Sequence, residues 1–230
     1  MKKYIAFFLC GLMILSGCAS MSKLSQDALI GTGAGAAVGA GIGALIGKDG
    51  KAAAIGAAVG SAVGATAGAI IGKKMDKAKA AVEAQVPAAQ VEEVQDKNGL
   101  KSVKVTFDSG ILFATNKADL NDAAKTSLTK FSNVLKQNTD MDVTIYGHTD
   151  STGSDKINNP LSLNRAMSVQ NYLTGCGVNA AQIKSVLGKG STEPVASNDT
   201  KEGRAQNRRV EVFLYASEAM IEAAQKEVGN

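Results

Sequence analysis

The sequence predicts an α+β domain, a mixed sheet with helices packed on one face, preceded by a glycine-rich helical hairpin. Three observations carry this. Short apolar runs stand at 91–94, 103–107, 143–146, 183–187 and 210–215, separated by turn and loop residues, as strands require. Two longer stretches between them, 118–136 and 161–173, repeat apolar residues at helical spacing. Upstream, glycines recur every fourth position from Gly31 to Gly47 and from Gly56 to Gly72. After an opening hairpin, the order strand, helix, strand, helix, strand, strand builds a sheet with helices on one side.

In chain order, residues 1–17 read as a secretory signal: Lys2 and Lys3, then an apolar core from Tyr4 to Leu15. The run Leu15-Ser16-Gly17-Cys18 resembles the bacterial lipobox, in which cleavage precedes the cysteine and the cysteine carries lipid. The alternative is an ordinary signal with a chance cysteine. Ala19 and Ser20 follow, and the absence of Asp directly after Cys18 is, by that resemblance, the outer-membrane pattern. Several acyl chains would anchor the chain firmly, at about 0.8 kcal/mol per buried methylene. With Cys10 in the signal and Cys18 modified, Cys176 is the one thiol left, so no internal disulfide forms. Residues 18–28 then form a lipidated linker.

Residues 29–72 form the hairpin, its two ladders separated by Lys48-Asp49-Gly50-Lys51. Spacing of four lines small residues along one helix face, where two backbones can approach. Glycine costs about 1 kcal/mol relative to Ala in an exposed helix, so close packing must compensate. Each arm has about 18–21 uncharged residues, near the length that crosses a bilayer. The pattern resembles glycine-zipper segments of outer-membrane lipoproteins. It is neither a phosphate loop nor a dinucleotide fingerprint: Ile42 and Ala67 stand where the phosphate loop's first glycine belongs, and Val38 where the fingerprint's third does. Insertion in a membrane and packing within a soluble oligomer both remain open.

Residues 73–90 are charged and Ala-rich, a helix extension and linker ending near Pro87. Asn98-Gly99 marks a hairpin that opens the domain, 91–215. Residues 216–230 form an amphipathic tail, expected as a solvated helix. Net charge is +4, two of those charges being Lys2 and Lys3, and no basic patch is interleaved with aromatics, so nucleic acid is not expected as a partner. His148 lacks Cys or His companions at ligand spacing, so no metal or other cofactor is expected.

The most informative stretch is Gly147–Ala166. The strand ending at Tyr146 runs into a polar loop carrying Asp150, and a helix is expected from about Asn159-Pro160, with Pro160 in its first turn. Arg165 then lies about one turn into that helix. A carboxylate and a guanidinium at one loop mouth suit a ligand bearing both charges. The bland alternative is that the two bridge each other and fix the loop. A binding site would leave them under-satisfied.

Gly147-His148-Thr149-Asp150, Thr152-Gly153, Asn158, Leu161-Ser162, Arg165-Ala166 and Gly203-Arg204-Ala205-Gln206-Asn207-Arg208-Arg209-Val210-Glu211 together resemble the OmpA-like peptidoglycan-binding domain, from about Val103 to Leu214. The resemblance implies a non-catalytic grip on the diaminopimelate of the stem peptide. Asp150 would receive the ammonium and Arg165 the carboxylate, with Thr149, Asn158 and Arg208 in the same region; whether Arg208 or Arg209 reaches ligand stays open. Many relatives carry an acidic residue where Ala114 stands, which removes one contact. The implied function is a tether: lipid at Cys18 and the hairpin in the outer membrane, the folded domain in the periplasm on peptidoglycan. The alternative is an oligomeric membrane assembly or pore element acting through the glycine ladder. An enzyme would need a nucleophile with a base, paired carboxylates or zinc, and no such constellation stands out.

Overall fold

A computed structural model describes residues 63–114 and 116–229. The expected signal, Cys18, and the glycine ladder up to residue 62 lie outside them. The sheet has five strands in the order β1-β2-β5-β3-β4. Strands β1 (Gln90–Gln95) and β2 (Lys101–Asp108) form an antiparallel hairpin. Its loop is longer than a two-residue turn. Asp96 Oδ1 accepts from the backbone amides of Asn98 at 2.8 Å and Leu100 at 2.9 Å, and Gly99 takes the positive φ of 71° that a side chain resists. Strand β5 (Arg209–Ala216) sits centrally, antiparallel to β2 and to β3 (Met141–Gly147). Strand β4 (Ile183–Gly188) pairs in parallel with β3.

Alternation sorts the sheet into two faces. Val103, Val105 and Phe107 of β2, Val143 and Ile145 of β3, and Val210, Val212 and Leu214 of β5 are all buried in one core. Helix α2 is the short Ser109–Leu112 turn. Helix α3 (Asp122–Gln137) adds Leu128, Phe131 and Leu135, with Phe131 edge-on to Phe107 at 5.7 Å. It begins four residues later than its apolar spacing suggests, because Asn121 caps it by accepting from Ala124 N at 2.8 Å. Helix α4 (Asp155–Gly175) adds Ala166, Val169 and Leu173. A short α5 (Lys201–Asn207) precedes β5. The mixed sheet and single helical layer match the expected architecture.

Three boundaries differ from expectation. Helix α4 starts at Asp155 after Ser154, not at Pro160, which sits in its second turn. There the ring forfeits one bond to the Lys156 carbonyl. The tail is not a solvated helix: α6 (Glu218–Val228), capped by Ser217 through Met220 N at 3.1 Å, buries Met220 and Ala224 in the core. Most consequentially, the boundary expected at 72/73 falls inside one helix, α1 (Ala65–Gln85). Ala67, Ile71, Met75, Ala78 and Val82 recur every three or four residues along it, and all are buried in the core with β2, α3 and α6.

Two ladder glycines therefore belong to the folded domain. The side chains of Leu100 and Lys101 lie over Gly68 and Gly72, 3.9 Å from where a Cβ would be. A stripe buried against the sheet cannot also face lipid. Gly64 takes a φ of 75° just ahead of α1, which breaks any helix arriving from upstream. Among the described residues, no helix is long and apolar enough to cross a membrane.

If α1 is integral to the core, Ile71→Ala and Met75→Ala should each cost about 2–5 kcal/mol. Urea unfolding measures this; unchanged midpoints would detach α1 from the domain.

Candidate functional site

The site forms where the C-terminal ends of β2, β3 and β4 meet the start of β5. Its shape depends on how closely α4 approaches the sheet. Gly147 and Gly188 are register partners at the ends of β3 and β4. A Cβ on Gly147 would run into the Ser162 carbonyl, and one on Gly188 would stand 2.5 Å from Leu163 N. Neither backbone atom can move without shifting α4. The Ser162 hydroxyl accepts from Gly190 N at 2.9 Å, and Thr149 N donates to Gly190 O at 2.8 Å. So the helix bearing Arg165 and the loop bearing Asp150 are fixed to the same strand ends.

Asp150 is buried in that loop. Its Oδ1 accepts from Thr152 N at 2.9 Å and its Oδ2 from Arg208 Nη1 at 2.5 Å. Burial pushes its pKa up, but the bonds from Arg208 and Thr152 outweigh that and hold it below the usual carboxylate value. Asn158, buried on α4, spans the loop: its Nδ2 donates to Thr152 O at 3.1 Å and to Asp150 O at 3.4 Å. Thr149 contributes its backbone to Gly190, and its hydroxyl is buried without a partner.

Arg165 is 3% exposed. Its Nε donates to Lys117 O at 3.1 Å, its guanidinium lies 5.4 Å from the centre of the Phe113 ring, and its Nη1 is buried with no hydrogen-bond partner. Burial lowers its pKa, Arg208 lowers it further, and Asp150 raises it. The two groups therefore share a site without bridging each other. Asp150 pairs with Arg208, and one face of Arg165 is left unsatisfied, at a cost of about 1–3 kcal/mol for a buried donor.

Residues 112–208 match the model of the OmpA family, and residues 1–76 match that of the YMGG-like Gly-zipper. The chain carries an OmpA-family domain. The domain is 48% identical over 104 residues to the peptidoglycan-binding protein ArfA of Mycobacterium tuberculosis, covering 45% of this chain and 32% of that one. It is 40% identical over 113 residues to the probable lipoprotein YiaD of Escherichia coli, covering 49% and 51%. Among solved structures it is similar to the cell wall anchor of the T6SS from Pseudomonas aeruginosa, with a TM-score of 0.51 and 28% identity over 62% of this chain and 97% of that one. The MotB-like protein from Desulfovibrio vulgaris gives a TM-score of 0.56 at 22% identity over 65% of this chain and 99% of that one, a likeness of fold alone. The chain spans about a third to two thirds of the length of the curated relatives it matches.

Neighbouring arginines of the OmpA-family domain face opposite ways. Arg208 turns to Asp150, whereas Arg209 lies buried beneath the other sheet face. Its Nε donates to Glu211 Oε1 at 2.7 Å, its Nη1 to Asn207 O and its Nη2 to Glu193 O, both at 3.2 Å. His148 is fully buried, with its Nε2 3.5 Å from Glu211 Oε2. Burial pushes Glu211 up, yet His148 and Arg209 outweigh it and hold it at about 2. Among the described residues no His, Cys, Asp or Glu cluster is placed to hold a metal.

Asn207 and Asn198 are site-supporting residues whose roles sequence reasoning missed. Asn207 Oδ1 accepts from Val195 N and Ala196 N, its Nδ2 donates to Asn198 Oδ1, and that oxygen also accepts from Ser151 N at 3.1 Å. The clip ties the 195–198 loop to the Asp150 loop. Its signal was the Asn-Arg-Arg run itself, but the partners lie about ten and fifty residues away.

Two outcomes follow. Gly188→Ala should destabilise the domain by roughly 1–3 kcal/mol through overpacking and weaken ligand binding in parallel; thermal unfolding checks the first. Glu211, depressed from 4.5 to about 2, contributes stability that is full above pH 4.5 and lost as pH falls through 2. The stability gap between the native chain and Glu211→Gln should therefore shrink over that window, by on the order of 3 kcal/mol, in urea titrations at stepped pH.

Proposed function

We propose that this protein holds peptidoglycan without cleaving it, tethering the outer membrane to the wall. The ligand group is the diaminopimelate of the stem peptide, with its ammonium at Asp150 and its free carboxylate at Arg165. The observation that carries this reading is the unpaired Nη1 of a buried arginine beside a carboxylate it does not bridge. The guanidinium is held by Lys117 O and by Phe113, and a planar carboxylate would supply the partner its Nη1 lacks. Asn158 and Thr149 hold the loop. The relatives' names, peptidoglycan-binding ArfA and the probable lipoprotein YiaD, support the same class of ligand and an anchored chain. Lipid on Cys18 supplies the outer-membrane anchor and leaves the domain in the periplasm.

Asp150→Ala and Arg165→Ala should each abolish co-sedimentation with purified peptidoglycan while circular dichroism stays native. Retained sedimentation by both variants would remove the site from this function.

A further inference from the structure

We propose that Arg208 determines specificity by exchanging partners: it neutralises Asp150 in the free domain, yields that carboxylate to the ligand's ammonium, and moves to the ligand's carboxylate beside Arg165. The inference rests on the reading of the site above and adds a reason for selectivity to it.

The three charged groups differ in freedom. Arg165 is fixed by Lys117 O, by Phe113 and by burial. The Asp150 side chain, 10% exposed, is fixed by Thr152 N. The Arg208 side chain is 38% exposed, and its Nη1 donates to Asp150 Oδ2. Its backbone is pinned, with Arg208 N donating to Arg204 O and Arg208 O accepting from Ser109 N, so the side chain can swing from a stationary root. The seat expected for an ammonium is thus already filled by a movable cation.

Charge counting gives the consequence. Two guanidiniums and one carboxylate leave the free site with one surplus positive charge. A ligand bearing ammonium and carboxylate displaces Arg208 but supplies a new anion for it to share with Arg165, so the surplus stays at one charge and Arg165 gains its missing partner. A ligand bearing only the ammonium displaces Arg208 and strands it beside Arg165, in a partly buried place where Arg208 already lowers the Arg165 pKa. Rejection of the ammonium-only ligand therefore comes from a built-in repulsion as well as from a lost contact.

The test is calorimetric titration of the full chain, in detergent, with two tripeptides: L-Ala-γ-D-Glu-meso-diaminopimelate and its L-Lys counterpart, which lacks the second carboxylate. The native chain should prefer the diaminopimelate peptide. Arg208→Gln should cut that preference by about tenfold, chiefly by binding the lysine peptide more tightly, as expected when a repulsive element is removed. Arg208→Lys keeps the charge and should retain most of the preference. An unchanged preference in Arg208→Gln, with native circular dichroism, would overturn the exchange while leaving the Asp150–Arg165 site standing. Undiminished binding of both peptides by Asp150→Asn would instead overturn the site itself.

Discussion

The missing side chains at Gly147 and Gly188 are the constraint on which the site depends. They let α4 settle its second turn directly onto the ends of two parallel strands, with Ser162 bonded to Gly190 in the contact. A single methyl at either strand end would lift the helix. Arg165 and Asn158 would move with it, away from the Asp150 loop that the same strand ends hold through Gly190. Geometry that a binding site needs to within a fraction of an ångström is thus set by backbone packing, which is far stiffer than any surface ion pair.

Around that contact, the domain spends polar burial unevenly. On one side, Arg209 is satisfied at every nitrogen, and Asn207 closes a loop with both ends of its amide, although His148 beside Glu211 has no hydrogen-bond partner. On the Asp150 side, Arg165 Nη1 and the Thr149 hydroxyl have no partner. The contrast between two adjacent arginines, one complete and one holding a carboxylate with a half-exposed side chain, separates scaffold from site within one dipeptide.

Much of this was legible in the sequence because it is local. Period-two and helical runs placed the strands and the long helices, and Asp150 and Arg165 stood at a strand end and on the following helix. What was illegible depends on distant partners. Pro160 looked like a first-turn residue, whereas the helix begins at Asp155, five positions upstream. Gly68 and Gly72 looked like lipid-facing rungs because nothing local says that Ile71 and Met75 bury themselves against a sheet thirty residues on. Arg208 and Arg209 were indistinguishable until the fold placed Arg208 at the end of α5, bonded to Asp150, and Arg209 at the start of β5, bonded to Glu211. That Asp150 pairs with Arg208 rather than Arg165 is likewise a tertiary fact, and it changes the empty site from an open clamp to an occupied one.

The most direct measurement is a crystal structure of the domain-bearing chain with a diaminopimelate-containing stem peptide. The expected density puts the side-chain ammonium against the Asp150 carboxylate and the terminal carboxylate across the Arg165 guanidinium, filling the Nη1 that lacks a partner. Peptide bound elsewhere on the sheet or helices, with Asp150 still held by Arg208 and Arg165 Nη1 still empty, would contradict the account.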